Sequence, residues 1–117
     1  TGQLKWKFKT DAKVGSSPAV SDGVVYFGST NNYLHAVDVN TGQLKWKFKT
    51  NAEVFSSPAV CEGVVYFGSN DNYLYAVDVN TGQLKWKFKT DGEVFSSPAV
   101  SDGVVYFGSG DYLYAIN

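Results

Sequence analysis

Ten residues, Thr-Gly-Gln-Leu-Lys-Trp-Lys-Phe-Lys-Thr, begin at positions 1, 41 and 81 of the chain. A sequence with a period of 40 cannot choose its fold one element at a time. Each copy must build the same unit, and each unit must bury its faces against the next. Residues 1–40 and 41–80 differ only at positions 11, 13, 15, 21, 22, 30, 31 and 35. The third copy, 81–117, is one residue shorter near Gly110 and stops at the equivalent of Asp38. The chain therefore reads as a single repeat domain, 1–117, with copies 1–40, 41–80 and 81–117.

Within one copy, Leu4-Lys5-Trp6-Lys7-Phe8-Lys9-Thr10 alternates apolar and cationic residues, the pattern of a strand with one buried face. Ser16-Ser17-Pro18-Ala19-Val20 is a thin strand whose proline suits an edge or a strand start. Ser21-Asp22-Gly23 is a hairpin turn. Val24-Val25-Tyr26-Phe27-Gly28-Ser29, apolar on both faces, is a strand buried on two sides. Thr30-Asn31-Asn32 turns the chain, and Tyr33-Leu34-His35-Ala36-Val37-Asp38 is the next strand. No stretch suits a helix. Side chains grow from the Ser-Pro-Ala strand through the Val-Tyr-Phe strand to the Trp strand, so each sheet is a wedge. Wedges pack face to face around an axis, with the small strand innermost and the Trp strand at the rim. The expectation is an all-β fold, a β-propeller of four-stranded antiparallel blades with three blades per chain.

Chemistry-bearing residues are few. Nine of the ten basic residues lie in the three Trp strands, where lysines protect a sheet edge from aggregation. A net charge of −1 gives no field that would draw nucleic acid or an anionic membrane. No apolar run is long enough for membrane insertion by a helix. Cys61 is the sole cysteine and stands where the other copies have Ser21 and Ser101, so it forms no internal disulfide and reads as a tolerated small residue. His35 occupies a slot that holds Tyr75 and Tyr114 in the other copies and reads as packing. Asp38-Val39-Asn40-Thr41-Gly42 lacks the third ligand and terminal Glu of a calcium loop, so it reads as an Asx-type turn. Ser16-Ser17-Pro18 has no nucleophile elbow, and Gly28-Ser29-Thr30-Asn31 precedes no helix that could hold a phosphate. No catalytic, cofactor or metal site is expected.

The motif Ala36-x-Asp38-x-x-Thr41-Gly42-x-x-x-Trp46, with Ser-Ser-Pro-Ala-Val and Val-Val-Tyr-Phe-Gly-Ser, resembles the pyrroloquinoline quinone (PQQ)-like repeat family over essentially the whole chain. The resemblance implies that Ala36, Asp38, Gly42 and Trp46, and likewise Ala76, Asp78, Gly82 and Trp86, form the structural docking set between blades. Ala115 with Gly2 and Trp6 would form a split third set, in which Asn117 replaces the Asp. Family members are of two kinds: dehydrogenases that hold PQQ and Ca²⁺ on the axis, and outer-membrane assembly lipoproteins that bind proteins without a cofactor. The dehydrogenases need a calcium-binding acidic set, a Trp platform and usually a vicinal Cys pair. This sequence has one Cys, and each Trp belongs to the repeat, so no PQQ is expected. The family implies a periplasmic or extracellular setting. The sequence contains no Met and opens at Thr1, which suggests a processed, trimmed or partial chain.

Phe55 and Phe95, with Gly15 in the first copy, precede the inner strand near one mouth of the expected axis. They are either a binding patch for a protein or peptide or plugs between blades. The chain opens on a Trp strand and closes on the strand that should pair with it. Two copies joined head to tail through Thr1–Thr10 and Tyr112–Asn117 would close a six-bladed homodimer, whereas three copies would need nine blades. The expected function is a non-catalytic self-assembling scaffold, protein- or peptide-binding or, given such similar copies, a designed repeat without a native ligand. The alternatives are a fragment of a PQQ-dependent oxidoreductase and a multivalent binder of glycans or small ligands.

Overall fold

A computed structural model of the chain describes residues 2–117. The first sheet comprises β1 (Ala19–Ser21), β2 (Val24–Gly28), β3 (Tyr33–Asp38) and β4 (Leu44–Lys49). The second repeats it as β5 (Ala59–Cys61), β6 (Val64–Gly68), β7 (Tyr73–Asp78) and β8 (Leu84–Lys89). The third has three strands, β9 (Ala99–Ser101), β10 (Val104–Ser109) and β11 (Tyr112–Ile116). Every pairing within the sheets is antiparallel. Among the described residues no helix is long and apolar enough to cross a membrane.

The tight β1–β2 turns follow from their dipeptides. Asp22 and Gly23 have φ of 49° and 81°, and Glu62-Gly63 and Asp102-Gly103 repeat the pair. Two consecutive positive φ values match the right-handed twist of the flanking strands. The inner strands β1, β5 and β9 lie side by side. Hydrogen bonds between the segments that lead into them advance by one period: Ser17 N donates to Ser57 Oγ at 2.9 Å, and Ser57 N to Ser97 Oγ at 3.1 Å. The thin strands thus gather at one line while the Trp strands diverge to the rim.

Two expectations need correction. The Ser-Ser-Pro-Ala-Val strand is shorter than its sequence suggested and starts at Ala19, because Pro18 has no N–H and Ser16 Oγ is taken by the Gly28 amide at 2.7 Å. The Thr1–Thr10 segment is not a strand over its described residues 2–10, and the third sheet is one strand short. The cause is common to both. A strand exists only with a ladder partner, and the β11 edge that would pair with this segment lies at the other end of the arc. Thr1 lies outside the described residues.

The core sits between sheets. Tyr26, Leu34 and Ala36 from the first sheet pack with Val54, Val65 and Phe67 of the second. Leu74 then packs with Val94, Val105 and Phe107 of the third, with Tyr66 and Trp86 against them.

Candidate functional site: the junctions between blades

The β3–β4 turn is held by Asp38, whose Oδ1 accepts from the Asn40 amide at 2.8 Å and the Thr41 amide at 3.0 Å. These two amides, Thr41 first, hold the carboxyl below the ordinary carboxylate range. Asp78 does the same with Asn80 and Thr81. The turn leaves the Val39 carbonyl free and brings Gly42 round at a φ of 75°. Trp6 fills the space above it: its Nε1 donates to Val39 O at 2.9 Å, and a Cβ on Gly42 would come within 2.7 Å of the indole. Trp46 makes the same two contacts one period on, with Val79 O at 2.9 Å and with Gly82.

The Gly and the Trp of one motif therefore face different neighbours. Gly42 receives Trp6, whereas Trp46 reaches Gly82. Ala36 lies opposite Trp46 across the β3–β4 ladder, and Ala76 lies opposite Trp86 across β7–β8. A larger residue there would meet the indole. Trp86 rests on Tyr66, with ring centroids 5.9 Å apart. Gly2 has nothing within 4 Å, although its φ of 82° matches that of the filled glycines, and Ala115 is exposed. Those two residues and Trp6 are not brought together.

A second lock, nearer the axis, is absent from the sequence reading. Val54 lies across Gly28 and Val94 across Gly68 so closely that a Cβ on either glycine would overlap the valine. The signal was present in the sequence: the Gly of Val-Val-Tyr-Phe-Gly and the Val four residues after each Lys-Thr recur in all three copies.

Phe55 and Phe95 are partly exposed, with ring centroids 6.2 Å apart. A Cβ on Gly15 would lie 2.9 Å from Phe55 Cδ1, so the first copy's glycine makes room for the ring. His35 is buried, with Nε2 3.1 Å from Ser29 Oγ and its ring stacked on Phe27 at 5.1 Å. A serine beside a histidine suggests a nucleophile with its base. Here Ser29 Oγ bonds to Asn31, Nδ1 has no partner to orient it, and Phe8 closes over the ring. Both groups are shut away from any substrate, so the pair is a packing network. Desolvation first, and the Lys47 charge second, lower the imidazole pKa below its ordinary value. In the second copy Tyr75 donates to Asp71 instead. Cys61 lines a polar cavity of about 330 Å³ between the first two sheets, with Asp22, Tyr26, Lys45 and Glu62.

The residues do not fit a quinone. A platform Trp would have to face the axis, whereas Trp6 and Trp46 are fixed at the rim by carbonyls of the neighbouring sheet. Asp38 and Asp78 spend an oxygen each on their own turns. Among the described residues no group of three or more His, Cys, Asp or Glu converges to hold a metal ion.

Three wedge-shaped antiparallel sheets about one line, joined by repeated turns, are blades of a β-propeller. The profile of the family described as outer membrane protein assembly factor BamB matches residues 1–117, and the chain belongs to that family. Among solved structures it is similar to BamB from Moraxella catarrhalis, with a TM-score of 0.85 and 20% identity over 97% of this chain and 36% of that one. It also resembles the quinohemoprotein alcohol dehydrogenase ADHIIG from Pseudomonas putida HK5, with a TM-score of 0.81, 29% identity, and coverage of 94% and 20%. A europium-containing methanol dehydrogenase gives a TM-score of 0.81 and 22% identity, covering 97% and 24%. The chain thus spans about a third of the BamB structure and less of the dehydrogenases. No curated protein sequence matches it.

Proposed function

We propose that the chain is a non-catalytic, self-assembling propeller scaffold that binds protein or peptide, in the manner of the assembly-factor side of its family. The observation that carries this reading is the use made of the tryptophans. The indoles of Trp6 and Trp46 reach carbonyls of the neighbouring sheet and Trp86 packs on Tyr66, so none of the three tryptophans is left to serve as a platform on the axis. Ala36, Asp38, Gly42, Trp46 and their repeats act as docking residues, and Phe55 with Phe95 offers an apolar foothold for a peptide at one mouth. The setting is periplasmic or extracellular, as for an envelope assembly factor.

The test is to add PQQ with Ca²⁺ and read visible absorbance and dye-linked alcohol oxidation. The scaffold reading expects no bound chromophore and no turnover. Stoichiometric quinone binding or activity would overturn it. A second reading, a binder of small polar ligands or glycans, is favoured by the cavity beside Lys45 and Glu62. A glycan array that stays flat would remove it.

A further inference from the structure

Equivalent residues of the three copies differ in burial according to which side of the arc they face. Leu34 and Leu74 are fully buried, yet Leu113 is 77% exposed. Val54 and Val94 are fully buried, yet Val14 is 54% exposed. Pro58 and Pro98 are buried and Pro18 is exposed; Tyr26 is buried and Tyr106 exposed. Val14 and Pro18 lie on the leading face of the first blade. Tyr106, Leu113 and Ala115 lie on the trailing face of the third. Inside the chain these same two kinds of face meet, as Tyr26 and Leu34 do with Val54, Val65 and Phe67.

We propose that these two faces bind one another between two copies of the chain, through a junction that reproduces the internal ones contact for contact. This deepens the scaffold reading by naming its partner. Three features prescribe the fit. Gly108 is the open member of the Gly–Val locks: a Cβ there would meet only Ser96 and Tyr112 atoms, at 3.5 Å and beyond, and Val14 of the second copy fills the notch. Tyr106 and Leu113 enter the apolar cavity of about 210 Å³ lined by Trp6, Phe8, Val14, Pro18, Val25 and Phe27. The free β11 edge takes residues 4–9 of the second copy as its fourth strand.

The register follows from β3–β4, where Tyr33 pairs with Lys49, Leu34 with Phe48 and Ala36 with Trp46. Tyr112 therefore pairs with Lys9 of the second copy, Leu113 with Phe8 and Ala115 with Trp6. Lys47 and Lys87 stand over the rings of Tyr33 and Tyr73 at 4.6 Å. In the new ladder Lys7 supplies that cation to Tyr112, now 68% exposed. Because each copy carries both faces, two copies close through two identical junctions into six blades.

The experiment is a size swap read by sedimentation equilibrium, over a range of concentrations. Wild type is expected at twice the 12.8 kDa of one chain. Gly108→Val fills the notch against Val14 and should weaken association about tenfold or more. Val14→Gly in the same chain reopens the space and should recover much of the loss. The proposal is overturned by a wild type with the mass of one or three chains, by unchanged association of Gly108→Val, or by a double variant no tighter than the single one. A monomeric wild type without quinone binding would sink this inference together with self-assembly and leave only the non-catalytic, protein- or peptide-binding reading standing. Quinone-dependent turnover would sink that reading whatever the mass.

Discussion

Replacing Gly82 by Ala isolates the Trp clamp, because the chain supplies its own control. Gly82 has a φ of 74°, and a Cβ there would lie 2.6 Å from Trp46 Cδ2. Gly63 has a φ of 81° and nothing within 4 Å of its Cβ position. Alanine at either site bears the left-handed backbone strain, about 1–2 kcal/mol. Only at Gly82 must the indole also move. Its bond to Val79 O contributes about 1 kcal/mol net, and overpacking a tight contact costs about 1–3 kcal/mol. Gly82→Ala should therefore destabilise by roughly 2–4 kcal/mol more than Gly63→Ala. For a chain of this size that difference lowers Tm by about 10 °C or more. Urea unfolding of both variants, followed by tryptophan fluorescence and circular dichroism at one protein concentration, measures it. Equal losses in the two variants would refute the claim that Gly82 is there to admit Trp46.

Four other outcomes follow from the geometry. Cys61→Ser should leave stability within about 0.5 kcal/mol of wild type by the same urea assay, since Ser21 and Ser101 occupy that position in the other copies. Val54→Ala, at a fully buried residue across Gly28, should cost about 2 kcal/mol or more. Acid should act in two windows. The His35 pKa is lowered in the fold, so the unfolded chain binds the extra proton first, and stability should fall as pH drops below about 6.5 toward the folded value. His35→Tyr, which restores the residue of the other copies, should abolish that loss in a pH series of thermal melts. The Asp38 and Asp78 carboxylates are also lowered, so their turns should weaken only below about pH 4. Asp78→Ala should erase part of that second loss.

The blades were legible in the sequence because repetition constrained them three times over. Alternation marked β4 and β8, the Asp-Gly and Glu-Gly pairs marked the hairpins, and the gradient in side-chain size marked the axis. Ala36, Gly42 and Trp46 were named in the sequence through the family motif. Which Gly received which Trp was not legible, because that depends on the path of the chain between blades. The Val54–Gly28 type of lock was missed for a related reason. A valine before a strand and a glycine within one carry no chemical signature until packing brings them together. The segment 4–9 has every local mark of a strand, yet a ladder needs a second edge, and local pattern cannot say where that edge is. His35 shows the reverse case: a residue that invites a catalytic reading is explained by Phe8, Phe27 and Ser29 around it.

Backbone amide exchange of residues 4–9, compared with their repeats 44–49 and 84–89, tests the central claim most directly. If every junction is alike and the terminal segment completes a blade of a second copy, all three segments should be protected, as should the free edge of β11. Fast exchange of residues 4–9 beside protected 44–49, at concentrations of tens of micromolar, would contradict the account.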